Sequence, residues 1–517
     1  MVKIFIDDKP VEVEEGTTVF NAAEAAGISI PHLCYHPAFA PEGTCRMCLV
    51  EIEGLPKLEL ACSTVVREGM KVFTKSEKVV EARRGVLEFL LADHPLDCPI
   101  CDQAGDCKLQ DYYEEYGLYD SHFIEVKEKR GKKTKLGPHL MHDQERCVLC
   151  RRCVRFLKEV TKTQEMGVFE RGVHAEVNIH EGILVDNNYS GNLAELCPVG
   201  AITDTDFRFK TRSWFLDKGS SICPHCSRGC NISIEHNTHF HRFPVPQRVY
   251  RVKSRFNPDI NGYWICDLGR YGYSYLDENR LDEIRINNGI SKLDWQGIAP
   301  LLAGKINRLR YMNKVSQIAV VLNTWLTNEE LYLAKKIFCD DIKADKIVFV
   351  DPPQGKADEI LLTEDRTPNK RGAQEIGFEW DSLDLETLSE KTALLIIFGS
   401  YLADKFSPAE LKTHLDKIET TILLSSHTSE LDALVDIALP VPTIAEKSGS
   451  LTNCNGIVQT FAPALEDCRD SRPEWRFLVD LGKEIGINFR FFSQFTSTQA
   501  ILEEMGKEIA FFEMTND

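Results

Sequence analysis

The sequence predicts a multidomain protein, α+β through its first half and α/β in its second. Three observations lead there. At 517 residues the chain exceeds what one core can fill, since single cores stop growing near about 250–300 residues. Fifteen of its 18 cysteines lie within the first 266 residues, among short strand and helix signals. Beyond about residue 275 apolar strand candidates alternate with helical patterns instead.

Taken in order, residues 1–13 alternate as Lys3-Ile4-Phe5-Ile6-Asp7 and Val11-Glu12-Val13 around a turn placed at Asp8-Lys9-Pro10, which predicts a β-hairpin. Thr17 and Thr18 cap a helix with Val19, Phe20, Ala23 and Ala26 on one face and Gly27 at its end. A hairpin, a helix and then a cysteine-bearing loop is the opening of a small β-grasp module. Residues 76–93 form an amphipathic helix, with Val79, Val80, Val86, Leu87, Leu90 and Leu91 at helical spacing, that delivers His94 at its end. The charged run 125–135 reads as a solvated loop or hairpin tip, 146–158 as a helix, and 219–270 as a compact region of short strands. Further on, 318–322, 346–351, 394–398 and 421–425 read as strands, with helices at 327–339 and 408–417. This alternation predicts a parallel sheet with helices on both faces. It carries no Gly-x-Gly-x-x-Gly fingerprint and no Walker loop.

The formal charge of −18, without a concentrated basic face, argues against a nucleic-acid binder. No uncharged apolar run approaches the roughly 18 residues of a spanning helix. The start, Met1-Val-Lys-Ile-Phe-Ile-Asp-Asp, has charges where a signal peptide needs an apolar core. The expectation is a soluble intracellular protein, or a peripheral part of a membrane assembly. Length, the missing leader and the Cys-x2-Cys spacings weigh against a disulfide framework.

The cysteines fall into four ligand sets. The first is Cys34, Cys45, Cys48 and Cys62, spaced Cys-x10-Cys-x2-Cys-x13-Cys. Three close cysteines and a downstream fourth, after a hairpin and helix, favour a [2Fe–2S] cluster of plant-ferredoxin type over structural zinc. Gly43 and Thr44 are small enough to let backbone N–H groups point at the sulfurs. The second set is His94, Cys98, Cys101 and Cys107. One imidazole in place of a thiolate makes a cluster less negative; a zinc held by the same three thiolates and imidazole is the rival. The third is Cys147, Cys150 and Cys153 with Cys197-Pro198, the most specific of the four because it follows the bacterial ferredoxin spacing. Arg146, Arg151, Arg152 and Arg155 surround it and would offset the charge of a thiolate-ligated cluster. The fourth is Cys223, Cys226, Cys230 and Cys266, for which a zinc ribbon is also open. His32, His36, His139 and His142 read as loop or surface residues, and His225 as pointing away from its neighbouring ligands. Cys339 closes an apolar helix as a core residue; Cys454 and Cys468 have no partner spacing. Four redox centres in one chain would let electrons cross a distance too long for one jump.

These four sets, in this order, resemble the large iron–sulfur subunit family (G type, or 75 kDa type) of NADH–quinone oxidoreductase, respiratory complex I. The similarity runs from Met1 to about residue 270 and continues more weakly. The stretch from Ala438 to Gln459, with Glu446, Gly449, Thr452, Asn453 and Gly456, looks like part of the molybdopterin oxidoreductase superfamily, which supplies the C-terminal half of that large subunit. The resemblance implies one [2Fe–2S] cluster at the first set and [4Fe–4S] clusters at the other three, the fourth lying off the main electron path. It also implies the fold in detail. An N-terminal β-grasp [2Fe–2S] ferredoxin (1–75) comes first, then a [4Fe–4S] domain with one histidine and three cysteine ligands (76–135). A four-cysteine, ferredoxin-like [4Fe–4S] domain (136–216) and a four-cysteine [4Fe–4S] domain of molybdopterin-oxidoreductase type (217–275) follow. A truncated, pterin-free α/β scaffold (276–517) ends the chain.

Two departures set the last point. Pterin-containing relatives have a lysine in a Cys-x-Lys-Gly pattern where this chain has Leu268, in Cys266-Asp-Leu-Gly-Arg. Only 251 residues follow Cys266, short for a pterin-binding body. No molybdopterin, molybdenum, tungsten or zinc is therefore expected, and no catalytic residue, because no nucleophile–base pair or nicotinamide fingerprint stands out. The expected function is an electron-relay subunit of an NADH:quinone oxidoreductase. The expected partners are an FMN/NADH-binding subunit, a small [2Fe–2S] thioredoxin-like subunit and quinone-side hydrophilic subunits. The expected place is peripheral, on the cytoplasmic side of the bacterial inner membrane, with membrane contact only through the complex. The alternative is the same relay in a soluble NAD-linked hydrogenase or formate dehydrogenase.

Overall fold

A computed structural model describes all residues except 118–119, 238–246, 288, 291–292, 381–382, 468–469 and 514–517. Cys468 thus lies outside the described residues. The chain divides into two compact units, Met1–Leu216 and Asp217–Asp517.

The first unit opens with a five-stranded mixed sheet in the order Lys9–Val13, Val2–Ile6, Lys71–Phe73, Leu49–Ile52, Glu59–Leu60. Its hairpin turns at Asp7 and Asp8, both with left-handed φ, and not at Asp8-Lys9-Pro10. A two-residue turn with positive φ at both positions matches strand twist, and Pro10 is tolerated inside the following strand because that strand is an edge. Thr18 caps the helix Val19–Ala25, whose Val19, Phe20 and Ala23 pack on Ile4, Ile6, Val50 and Val72. Ser76 caps the helix Glu77–Leu91. Its buried face includes Arg83 beside Val79 and Leu87, which an apolar pattern does not reveal. Arg83 donates to Leu49 O and the Tyr116 hydroxyl, each at 2.9 Å. The helix expected over 146–158 is shorter: it spans Arg152–Glu159. Leu149 and Arg151 take left-handed φ of 49° and 58°, which breaks helical geometry. A small antiparallel sheet, Ile202–Asp204, Leu140–His142 and Thr134–Lys135, lies beside it.

The second unit has an antiparallel sheet of Asp217–Ile222, Asn231–His236 and Val249–Ser254. After it comes a seven-stranded sheet in the order Gly289–Ile290, Arg285–Ile286, Ile437–Pro440, Thr420–Ser425, Leu394–Phe398, Ile318–Leu322, Lys346–Phe349. The five strands from Ile437–Pro440 to Lys346–Phe349 run parallel. Alternate residues serve opposite cores: Ile318, Val320 and Ile396 meet the helices Trp295–Tyr311, Asn328–Ala334 and Glu474–Ile485, while Ala319, Val321 and Ile397 meet Leu385–Ser389 and Pro408–Leu415. Burial on both faces explains why these strands read as continuous apolar runs. Cys339 packs against the first of these cores, half-buried.

Candidate iron–sulfur sites

The first set sits in the loop between the helix Val19–Ala25 and the strand Leu49–Ile52, with Cys62 following Glu59–Leu60. All four thiols are buried. They form two pairs, Cys34 with Cys45 and Cys48 with Cys62, each within hydrogen-bond reach. The Cys45 thiol pulls Cys34 down to about 5, and Cys48 likewise lowers Cys62. Backbone N–H groups enclose the pair: Leu33 donates to Cys45 Sγ at 3.4 Å and Cys45 to Cys34 Sγ at 3.5 Å. Gly43, at φ +70°, lies where a Cβ would strike Leu60. Two pairs of thiols suit two irons, each taking two cysteines.

The second set is built where helices end. His94 follows Glu77–Leu91, Cys98 opens a short 3-10 turn, and Cys107 caps Lys108–Tyr116. His94 Nδ1 is buried without a hydrogen-bond partner. Burial, then the nearby Arg146, lowers the ring to about 4, so the imidazole is neutral, the form that ligates metal. Cys101 and Cys107 are buried and Cys98 is exposed.

The third set encloses one cavity lined by Cys147, Cys150, Cys153 and Cys197. The left-handed turns at Leu149 and Arg151 wrap the chain around it. Burial raises the Cys197 pKa, and the nearby backbone N–H groups of Ile202, Val199 and Ala201 oppose that rise by favouring the thiolate. His142 also lines this cavity. It is not a surface residue: it ends the strand Leu140–His142, is 2% exposed, and burial pushes its pKa down to about 4. His32, His36 and His139 do lie in loops, each partly buried.

The arginines do more than offset charge. Arg152 and Arg155, both buried, reach from the third set to the first: Arg152 donates to Leu196 O and Tyr35 O, and Arg155 to Cys34 O and, at 2.9 Å, Ala40 O. Arg146 turns the other way and pairs with Asp97 of the second set's loop at 2.7 Å. Arg151 is exposed. Gly200 joins second and third sets most closely. A Cβ there would fall inside the contact distance of Cys101 Sγ. Pro198 O accepts from Lys108 N–H at 3.0 Å. The third set thus touches both others, and the second set's helix also reaches the first set's loop, where the Tyr112 hydroxyl accepts from His32 N–H at 3.0 Å.

The fourth set is buried at all four cysteines, and Cys223 feels the charges of Cys230, Cys266 and Cys226. Its loop is held by the 438–459 stretch. Gln459 bonds Asn231 at 2.7 Å and Gly229 O at 3.0 Å, and Cys454 N–H donates to Ser227 O at 2.7 Å. Glu446 takes Arg280 and Arg248, each at 2.7 Å. His225 turns toward Gly272 and Tyr275. A cavity of about 390 Å³ opens at the carboxyl ends of the parallel strands, lined by His225, Asn323, Trp325, Ser400, Tyr401 and His427 among others. Among the described residues no three His, Cys, Asp or Glu converge as they would on a single ion.

Three family models match the chain: a 2Fe-2S iron–sulfur cluster binding domain over 1–77, the NADH-ubiquinone oxidoreductase-G iron–sulfur binding region over 83–122, and the ferredoxin-like domain of NADH-quinone oxidoreductase subunit 3 over 137–203. A Rickettsia bellii protein, named as the G subunit of NADH-quinone oxidoreductase, is 39% identical over 348 residues, 66% of this chain and 49% of that protein. Over about two thirds of its length the chain is similar to the G subunits of NADH-quinone oxidoreductase. Another relative, the NADH-ubiquinone oxidoreductase 75 kDa subunit of Reclinomonas americana, is 37% identical over 65% of this chain and 47% of its own. The chain spans about half the length of the curated relatives it matches. A solved structure, titled as an NAD+-reducing [NiFe]-hydrogenase in the H2-reduced state, matches at 32% identity over 41% of this chain and 91% of its own, with a TM-score of 0.38.

The links missed by sequence reading are Arg152, Arg155, Gly200 and Gln459. Their residue types were visible, but the partners lie far along the chain, 121 residues apart for Arg155 and Cys34.

Proposed function

We propose that the chain is an electron-relay subunit of an NADH:quinone oxidoreductase, holding a [2Fe–2S] cluster at Cys34, Cys45, Cys48 and Cys62 and [4Fe–4S] clusters at the other three sets. Bound clusters supply one-electron redox chemistry. The protein supplies the ligands, dry walls and short separations. The observation that carries the reading is the shared packing of three sets in the first unit. Cys34 and Cys150 lie close enough to influence each other electrostatically, as do Cys197 and Cys107. Electrons arriving from an FMN/NADH-binding partner enter at one end of this row, and quinone-side subunits take them from the other; a small [2Fe–2S] thioredoxin-like subunit completes the input side. The exposed Cys98, flanked by exposed Leu96 and Ile100, suits a site covered by a partner.

The donor chemistry fits the clusters: thiols that are buried apart from Cys98 and Cys147, backbone N–H bonds to Cys34, Cys45 and Cys266, and a neutral His94 with an unpartnered ring nitrogen. A pterin fits less well. Leu268 cannot supply a charged bridge. Among the described residues the lysine lining the large cavity, Lys447, is already bound to Glu330 at 2.8 Å and Glu474 at 3.0 Å. The second unit is then a scaffold for the fourth cluster, without molybdenum or tungsten. No described helix is long and apolar enough to cross a membrane. The proposed place is peripheral, on the cytoplasmic side of the bacterial inner membrane. Anaerobic analysis tests the reading: roughly 14 iron atoms per chain, with matching acid-labile sulfide, are expected. About four zinc atoms and no sulfide would contradict it.

A further inference from the structure

We infer that His142 tunes the third site: its Nε2–H donates a hydrogen bond to the cluster held by Cys147, Cys150, Cys153 and Cys197 and raises that cluster's reduction potential. The inference rests on the reading that this set carries a [4Fe–4S] cluster.

Four observations carry it. His142 lines the same cavity as all four thiols. It is 2% exposed, so bulk solvent does not reach its ring. Its Nε2 is buried with no hydrogen-bond partner in the protein. Its position is fixed by the strand pairing His142↔Ile202, with Asp143 N–H on Ala201 O at 2.7 Å. Directly paired residues in an antiparallel ladder point to the same face. Ile202 lines the cavity too, so the imidazole hangs from the sheet into the space the thiols surround.

An unsatisfied polar atom in so buried a place is costly and needs an explanation. The rest of the wall offers none. Apart from the thiols and two arginines it is apolar: Val148, Val177, Val199, Ala201 and Ile202. Arg152 spends its guanidinium on Leu196 O and Tyr35 O, and Arg151 faces solvent. A sulfide or thiolate sulfur of the cluster is the acceptor of the right charge in the right place. Reduction adds one electron to the cluster and no proton. A hydrogen bond donated to sulfur strengthens as the acceptor becomes more negative, so it favours the reduced state. Hydrogen bonding to sulfur is one of the levers by which a protein sets cluster potential.

The test is an EPR-monitored redox titration of the native assembly carrying His142→Leu or His142→Gln. His142→Leu fills the space without a donor. The reduced-to-oxidised ratio of the third cluster at a fixed potential should fall about tenfold, a shift of about 59 mV for one electron. His142→Gln keeps an N–H donor and should recover part of the shift, with the first and second clusters unmoved. An unchanged third-site potential in His142→Leu overturns the inference. If that variant fails to hold the cluster, the native protein labelled with 15N-histidine decides by pulsed EPR. A weak 15N coupling to the reduced third cluster is expected, and no coupling overturns the proposal. Absence of any [4Fe–4S] signal from the third set in native protein would instead bring down the cluster reading itself.

Discussion

The three sets of the first unit and the single set of the second are secured in different ways. In the first unit the sites hold one another: guanidinium groups of Arg152 and Arg155 bind carbonyls of the first set's loop, and Gly200 lets the third set's turn lie against Cys101. In the second unit the loop of Cys223, Cys226 and Cys230 is held by Asn453, Cys454 and Gln459, more than 200 residues downstream. On the proposed function, sites that share walls suit passage of electrons between them. A site buckled to a scaffold can be lost or kept without disturbing a row. The difference makes damage in the first unit collective and damage in the second local.

The largest effect expected is from Gly200→Val. The new side chain cannot coexist with Cys101 Sγ, so the second and third sites should fail together, with loss of about eight of the roughly 14 irons. Iron analysis and EPR of the purified assembly check this; loss from only one site would break the contrast. Next is Gln459→Leu, which strips Asn231 and Gly229 O of buried partners at about 1–3 kcal/mol each. It should cost about four irons, all from the fourth site, and leave the other three EPR signals intact.

The same contrast has a pH signature. Burial raises the Glu446 pKa, but the bonds from Arg280 and Arg248 outweigh it and hold the group at about 2. A carboxylate depressed in the folded state contributes stability above its ordinary pKa, near 4.5, and loses it as pH falls toward 2. On the order of 3 kcal/mol should disappear over that window. Glu446→Gln should flatten this acid slope, read by urea unfolding of the second unit's fluorescence at several pH values. The smallest effect is from Arg155→Lys, which keeps charge but not the fork that reaches both Cys34 O and Ala40 O. A loss of about 1–2 kcal/mol in the first unit is expected, with all clusters retained. A protease-susceptibility series checks it.

Much of this was legible in the sequence, and the reasons are physical. Ligand spacing is local, so Cys147, Cys150 and Cys153 announce themselves within one short loop. The parallel strands were legible because burial on both faces makes them unbroken apolar runs, as in Leu394–Phe398. The short strands Arg285–Ile286 and Ile437–Pro440 were not, because so few residues carry no period. From the sequence His142 reads as a loop or surface residue, because three residues of strand give no pattern. The left-handed turns at Leu149 and Arg151 were hidden for a different reason. Neither residue type favours that conformation, and only the need to wrap a cavity imposes it. Arg152 was seen as charge, yet its role depends on Tyr35, a partner 117 residues away that spacing cannot name.

Under the proposed function electrons pass through the first unit in the order first, third, second, because Cys150 lies within electrostatic reach of Cys34 and Cys197 within reach of Cys107. Freeze-quench EPR of the NADH-reduced assembly carrying Cys153→Ala, which removes the middle cluster, tests it most directly. The [2Fe–2S] signal of the first set should develop as in the wild type while the second set's signal stays silent. A second-set signal that develops at the wild-type rate would contradict it.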